Sequence, residues 1–293
     1  MMKRPLALAA LLAAALFATG CAAGSEPKGD SPAKNIEQWA LPLDQFAYQT
    51  SSLRDYAENL MVARCLGEEG IDWPAPWRSL DAVDENPSYT ASGHRLFDAT
   101  IAAKYGYHRI PATYKGQEEQ RAALLKTNAM VQADPTLADK SDACLASARK
   151  TIPVPSNEDL NFVLSAANTI SDTSEQSAKV RAVQAKWHEC IAAAGLGGLA
   201  DNPDQMPGDE KSEEWRLGDP AGSSSPFTEE IKVATADAGC RASSGWSQAL
   251  YDAEYAGETE FVKKNADKLD LIRDELAADK KRLTAAATEY APK

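Results

Sequence analysis

NLMVARCLGEEGIDWP, Asn59 to Pro74, is echoed 125 residues later by QAKWHECIAAAGLGG, Gln184 to Gly198. Each stretch has a cysteine near the end of a helix-period run and a glycine five residues further on (Cys65 to Gly70, Cys190 to Gly195), followed directly by Ile71 or Leu196. A unit written twice in this way speaks of architecture before chemistry: a helix end, a turn, and a thiol placed to be tied to a second element. Two candidates for that second element exist, Cys144 in KSDACLASA and Cys240 in TADAGCRAS. Both lie in alanine-rich helical sequence with an aspartate two or three residues ahead.

Four cysteines allow three connectivities, and spacing alone does not choose among them. The repeat does. If Cys65 and Cys190 are equivalent, the expected bridges are Cys65 to Cys144 and Cys190 to Cys240. Each would close a loop of roughly 50 to 80 residues, for which chain entropy predicts about 4 kcal/mol, comparable with the net stability of a domain. The rival use of these residues is zinc, but no CxxC pair or Cys/His cluster at ligand spacing is present. No metal and no cofactor are expected.

The fifth cysteine belongs to the leader. In MMKRPLALAALLAAALFATGCAAG, Lys3 and Arg4 precede an apolar run from Leu6 to Phe17, too short to span a bilayer, and small residues lead to Cys21. Ala18-Thr19-Gly20-Cys21 resembles the lipobox of bacterial lipoproteins, with alanine where leucine is commonest. That resemblance implies cleavage before Cys21 and acylation of its thiol by palmitate-class chains, against the alternative of an ordinary secretory signal with an incidental cysteine. Two or three acyl chains, at ~0.8 kcal/mol per buried CH2, anchor a protein stably. Without the leader the chain keeps 29 basic and 43 acidic residues, a net −14. Such a charge repels phosphate backbones, so nucleic acid is not an expected partner.

The organisation expected is a signal peptide over 1–20, a lipidated tether over 21–35, a first helical module over 36–152 and a second over 153–293. Helix spacing runs from Leu43 to Leu66, through a short segment with Leu96, Phe97, Ile101 and Tyr105, and over about 117–133 and 136–150. Ser156 and Thr173 are read as N-caps of helices over about 157–170 and 174–194. Thr228 is read as the cap of the next helix. A Gly/Pro/Asp/Ser-rich loop spans 195–227. From Ser247 to Tyr290 the pattern is one long helix or a helix broken near Gly257, with Leu269, Ile272, Leu276 and Leu283 as a narrow apolar stripe expected to dock on the body. No segment reads as a strand. The fold class is all-α, two related disulfide-stapled helical modules with long loops and a long C-terminal helix.

CLGEEG, AAKYGYHRIP, DACLASA, KWHECIAAAG, EEIKVATADAGC and the charged tail from Ser247, taken in order, resemble an uncharacterised group of secreted actinobacterial proteins and lipoproteins. Leu66 and Ile191 stand where methionine is frequent in that group. The resemblance implies a disulfide-bonded, envelope-facing protein and brings no activity, substrate or catalytic residue.

Motifs for catalysis are missing. There is no GxSxG elbow, and SARK, Ser147 to Lys150, lacks the Lys-Thr-Gly strand that a penicillin-binding site needs. Of the three histidines, His188 beside Trp187 reads as a partly buried structural residue. Abundant carboxylates read as solvated helix faces, and the acidic loop over 201–214 as solvated or as a loose calcium site. Trp73 and Trp77 in IDWPAPW, with Tyr105 and Tyr107 in KYGYHRIP, are the candidate recognition residues, since their rings offer flat apolar faces with polar edges. The expected function is that of a non-enzymatic lipoprotein outside the cell membrane, presenting a helical surface to an envelope protein or wall polymer. The alternatives are a small-ligand carrier or sensor and, third, a wall-acting hydrolase. Four aromatics around one pocket would favour the carrier, and a histidine with a carboxylate in a cleft the enzyme.

Overall fold

The computed structural model describes residues 32–47, 51–75, 78, 80, 90–110, 117–218 and 225–291. Ten α-helices run through them: α1 (Ser51–Glu68), α2 (Ala99–Tyr105), α3 (Gln117–Ala133), α4 (Thr136–Thr151) and α5 (Asn157–Glu175), then α6 (Ala178–Ala193), α7 (Asp209–Glu214), α8 (Thr228–Ser244), α9 (Trp246–Lys264) and α10 (Ala266–Tyr290). Short 3-10 helices lie at Asp44–Phe46 and Pro203–Gln205. Among the described residues there is no strand, only an isolated bridge between Asn35 and Ala40. The chain is all-α, as its periodicity predicts.

The repeated unit is a helix C-terminus closed identically twice. Gly70 and Gly195 take φ of 81° and 76°, a left-handed conformation that glycine adopts without steric cost. The next amide reaches back to the last turn: Ile71 N–H donates to Leu66 O and Leu196 N–H to Ile191 O, both at 3.0 Å. Gly70 N–H to Gly67 O and Gly195 N–H to Ala192 O complete each Schellman closure. Ile71 and Leu196 then pack on the buried Leu66 and Ile191. This fixes the cysteine one residue earlier on the last full turn. Cys65 is bonded to Cys144 of α4 and Cys190 to Cys240 of α8, with Cα–Cα distances of 5.9 and 5.5 Å. Both expected bridges are present.

Several helix boundaries differ from expectation. Residues 43–47 form a 3-10 turn and an extended Ala47, so α1 begins at Ser51. Ser156 caps α5 as expected, accepting from Glu158 N–H at 3.1 Å, but α5 runs through Thr173 to Glu175, and Ser177 caps α6. At α8 the cap position is Phe227, whose N–H donates to Glu230, and Thr228 is already helical. The tail breaks at Asn265, with φ −117° and ψ 23°, where the Nδ2 amide donates to Phe261 O at 2.9 Å. Gly257 lies inside α9 against Ile170 of α5, where a Cβ would come within 2.7 Å of Ile170 Cγ2.

The stripe of α10 docks on the body and spans two cores. Toward its N-terminal end Leu269 and Ile272 join Leu43, Phe46, Val163, Ala167 and Val262, with Leu276 against them. Toward its C-terminal end Leu283 and Ala286 join Leu53, Tyr56 and Leu60 of α1 and Ile152 beyond α4. The second core also holds a buried ion pair. Arg54 Nη2 lies 2.5 Å from Asp279 of α10, and the same guanidinium donates to Ile152 O and Pro153 O at 3.0 and 3.1 Å. Behind the second staple, Trp187, Ile191, Met206, Trp215 and Val233 form a further cluster. Pro32 to Asn35, the end of the expected tether, lie along α9: Lys34 Nζ is 2.7 Å from Asp252, and Asn35 N–H donates to Tyr251 Oη at 2.7 Å.

Leu283 is completely buried between α1 and α4, whereas Leu271, on the solvent side of α10, is 71% exposed. Leu283→Ala is expected to lower the unfolding free energy of the oxidised protein by about 2–5 kcal/mol, the cost of a partly relaxed core cavity. Leu271→Ala should change it by no more than about 0.5 kcal/mol. Urea denaturation of both variants checks the difference.

Candidate functional site

Polar chemistry in this fold is concentrated on the inward faces of α8 and α9. Along α9, Leu250, Glu254, Glu258 and Val262 recur at four-residue steps and are all buried, so two carboxylates occupy an apolar stripe. Glu254 is 1% exposed and has two neighbours on its two oxygens. Oε2 accepts from Trp39 Nε1 at 2.8 Å, and Oε1 lies 2.6 Å from His94 Nδ1. Trp39 is held at φ 48°, which costs a bulky side chain of order 1–3 kcal/mol. Its bond to Glu254 and its edge-on contact with Tyr251, at 5.4 Å, hold it there.

The other ring nitrogen of His94 points at two more carboxylates. Nε2 lies 3.9 Å from Glu175 Oε1, at the end of α5, and 3.8 Å from Asp204 Oδ1, in the second 3-10 helix. One donor atom from each of the three residues lies within 4.8 Å of the other two, and among the described residues this is the group with the geometry to hold a metal ion. Burial works against the His94 imidazolium, but the hydrogen bond and charge of Glu254, with Asp204 and Glu175 behind it, lift its pKa to about 9. Glu175 is pushed up to about 7 by burial and by the charge and hydrogen bond of Asp204. A cleft of about 340 Å³ opens beside Glu175, lined also by Arg181, Gln184, His188 and Asn202. His188 is exposed there rather than partly buried, because the buried position next to it is taken by Trp187.

The motifs quoted from the sequence meet in a second network. Gly106, at φ 56°, lets Glu230 of α8 approach so closely that a Cβ would stand 2.1 Å from Glu230 Oε1. Tyr107 N–H donates to that oxygen at 2.8 Å and His108 Nδ1 lies 2.9 Å from it. Asp237 accepts from Trp187 Nε1 at 2.8 Å, from Tyr107 Oη at 3.2 Å and from Arg241 Nε at 2.9 Å. Trp187 and Asp237 each stand three residues before a bonded cysteine, so this hydrogen bond runs beside the second disulfide. These groups are satisfied by one another and serve to join α2, α6 and α8.

Of the described recognition candidates, Trp73 stands apart from Tyr105 and Tyr107. Trp73 lines an open groove of about 580 Å³ with Val62, Leu124 and Leu145, edged by Asp55 and Glu58. Tyr107 stacks between Phe97 and Trp215 at centroid distances of 5.3 and 6.2 Å, within the α2–α8 packing. Tyr105 ends α2 under Lys104. Trp77 and the lipidation candidate Cys21 lie outside the described residues. Comparison with protein families, with curated proteins and with solved structures gives no match.

Glu258 is buried, and its Oε2 accepts from Leu43 N–H at 2.7 Å while Oε1 has no hydrogen-bond partner among the described residues. Burial, and then the charges of Asp44 and Glu254, push its pKa up to about 8, and burial lifts the neighbouring Asp44 to about 6. A carboxyl with a raised pKa binds its proton more tightly in the folded chain. Its contribution to stability is therefore complete below the ordinary carboxylate range and is lost as pH rises toward 8. Melting temperature is expected to fall between pH 5 and pH 8, and Glu258→Gln should flatten that fall by several degrees without lowering the value at pH 8. Thermal unfolding across this range checks it.

Proposed function

We propose that the protein is a non-enzymatic lipoprotein, held at the outer face of the cell membrane by acylated Cys21, that offers a helical surface to an envelope protein or wall polymer. The leader sequence supports the location. The two disulfides support it independently, because such bonds persist in oxidising compartments. Among the described residues no helix is long and apolar enough to cross a membrane.

One observation carries the binding reading. Helix α3 has no buried side chain among those described, and its Leu124 and Leu125 are each 60% exposed. A helix this long normally buries an apolar stripe, and a paired leucine exposure beside a tryptophan-lined groove is the kind of surface that partners cover. The stripe of α10, by contrast, is already used inside the body. The enzyme reading gains a histidine–carboxylate pair, but His94 Nδ1 is committed to Glu254, and among the described residues no hydroxyl or thiol is within hydrogen-bond reach of Nε2. The carrier reading has the Trp73 groove, whose volume suits a small ligand.

A photo-crosslinking residue placed at Leu124 in intact cells is expected to give a discrete adduct, and the same residue at Leu271 none. Cys21→Ser should move the protein from the membrane fraction to the soluble one. Equal labelling at both positions, or membrane retention of the serine variant, would remove the surface and the anchor from the proposal respectively.

A further inference from the structure

We propose that His94 Nε2 and one carboxylate oxygen each of Glu175 and Asp204 form a binding site for one divalent first-row transition cation of the zinc type. This goes beyond partner docking at α3, because it uses the opposite chemistry in a different place. The three ligands come from the loop before α2, the end of α5 and the second 3-10 helix, and no spacing in the sequence joins them.

The donor set is mixed rather than merely acidic. An imidazole nitrogen favours zinc, copper, nickel and iron over magnesium or calcium, and two carboxylates balance a dication's charge. The imidazole is also prepared as metal-bound histidines are: its distal nitrogen is held by a carboxylate that is itself fixed. Glu254 is 1% exposed, lies 2.6 Å from Nδ1 and is pinned by the Trp39 indole, so Nε2 is left to face Glu175 and Asp204. Such an outer carboxylate orients the ring and raises its basicity toward a metal.

The spacing fits with a small contraction. Tetrahedral ligands at about 2.0–2.1 Å from zinc stand about 3.4 Å apart, against 3.8 and 3.9 Å from Nε2 to the two carboxylates here. Closing the difference needs about half an ångström of side-chain movement. Asp204 is an exposed residue of its 3-10 turn, and Glu175 also lines the 340 Å³ cleft that supplies an entry path. Three protein ligands leave a fourth position for water or for a partner's group. A cation there would tie α5 and the 3-10 turn between α6 and α7 to the segment ahead of α2.

The test uses the full-length mature chain with both disulfides intact, stripped with chelator and titrated with zinc chloride. One zinc per chain is expected, with Glu175→Gln and Asp204→Asn each weakening it at least about a hundredfold and Glu254→Gln about tenfold. Both ligand carboxylates are partly exposed, so these variants should keep the native circular dichroism and disulfides. Cobalt(II) should give a ligand-field spectrum that His94→Gln abolishes, and calcium chloride should not compete at equal concentration. Absence of saturable zinc binding overturns the proposal. So does uptake that is equal in wild type and in both carboxylate variants, which would place the metal elsewhere.

Discussion

The structure depends on the docking of a single long helix that joins the first staple to the packing of α5 and α9. Helix α10, about 37 Å from end to end at 1.5 Å per residue, lays Leu269 and Ile272 against α5 and the first 3-10 turn and Leu283 against α1. Neither disulfide touches it. Cys65–Cys144 holds α1 to α4 and Cys190–Cys240 holds α6 to α8, but the α1–α4 pair leaves its apolar faces open until α10 covers them. Hydrophobic burial at this seam, rather than covalent closure, joins the α1–α4 pair to the rest of the described body. The Arg54–Asp279 ion pair fixes the seam's register, since removing either charge would leave the other buried.

Much of this was legible in the sequence because it rests on local rules. Glycine five residues after cysteine, with an apolar residue next, is a Schellman signature, and its duplication led to the correct pairing of cysteines. The stripe of α10 was legible for the same reason, as three- and four-residue steps. The boundaries were harder. Asn265 breaks the tail through its own side-chain hydrogen bond to Phe261, whereas Gly257, the nominal weak point, is retained inside the helix by close packing on Ile170. Thr173 has the composition of a cap but is overridden, since α5 continues through it to the buried Ser174.

The interior carboxylates escaped for a different reason. Glu254, Glu258 and Asp279 occupy apolar stripes, and so do Glu230 and Asp237 among Val233, Ala234 and Ala238 on α8. A signal existed in that stepping. A composition rule that assigns acidic residues to solvated faces hides it. Their partners, Trp39, His94, Tyr107 and His108, lie more than a hundred residues away in sequence, and only the packing of α8 and α9 brings them together. The fold thus spends its buried polarity on joining elements and leaves one end open, at Glu175, which lines a cleft. Among the described residues, the α3 surface and this cleft are two places with chemistry left for something else.

The claim that α10 fuses the stapled α1–α4 pair and the α5–α9 packing into one cooperative body is tested most directly by native-state hydrogen exchange on the oxidised protein in increasing denaturant. The most protected amides of α1, α4 and α5 should converge on one opening free energy, because neither the α1–α4 pair nor the α5 core can expose its apolar face without releasing α10. Two separate levels, one shared by α1 and α4 and another by α5 and α9, would contradict the account and leave two parts that merely touch.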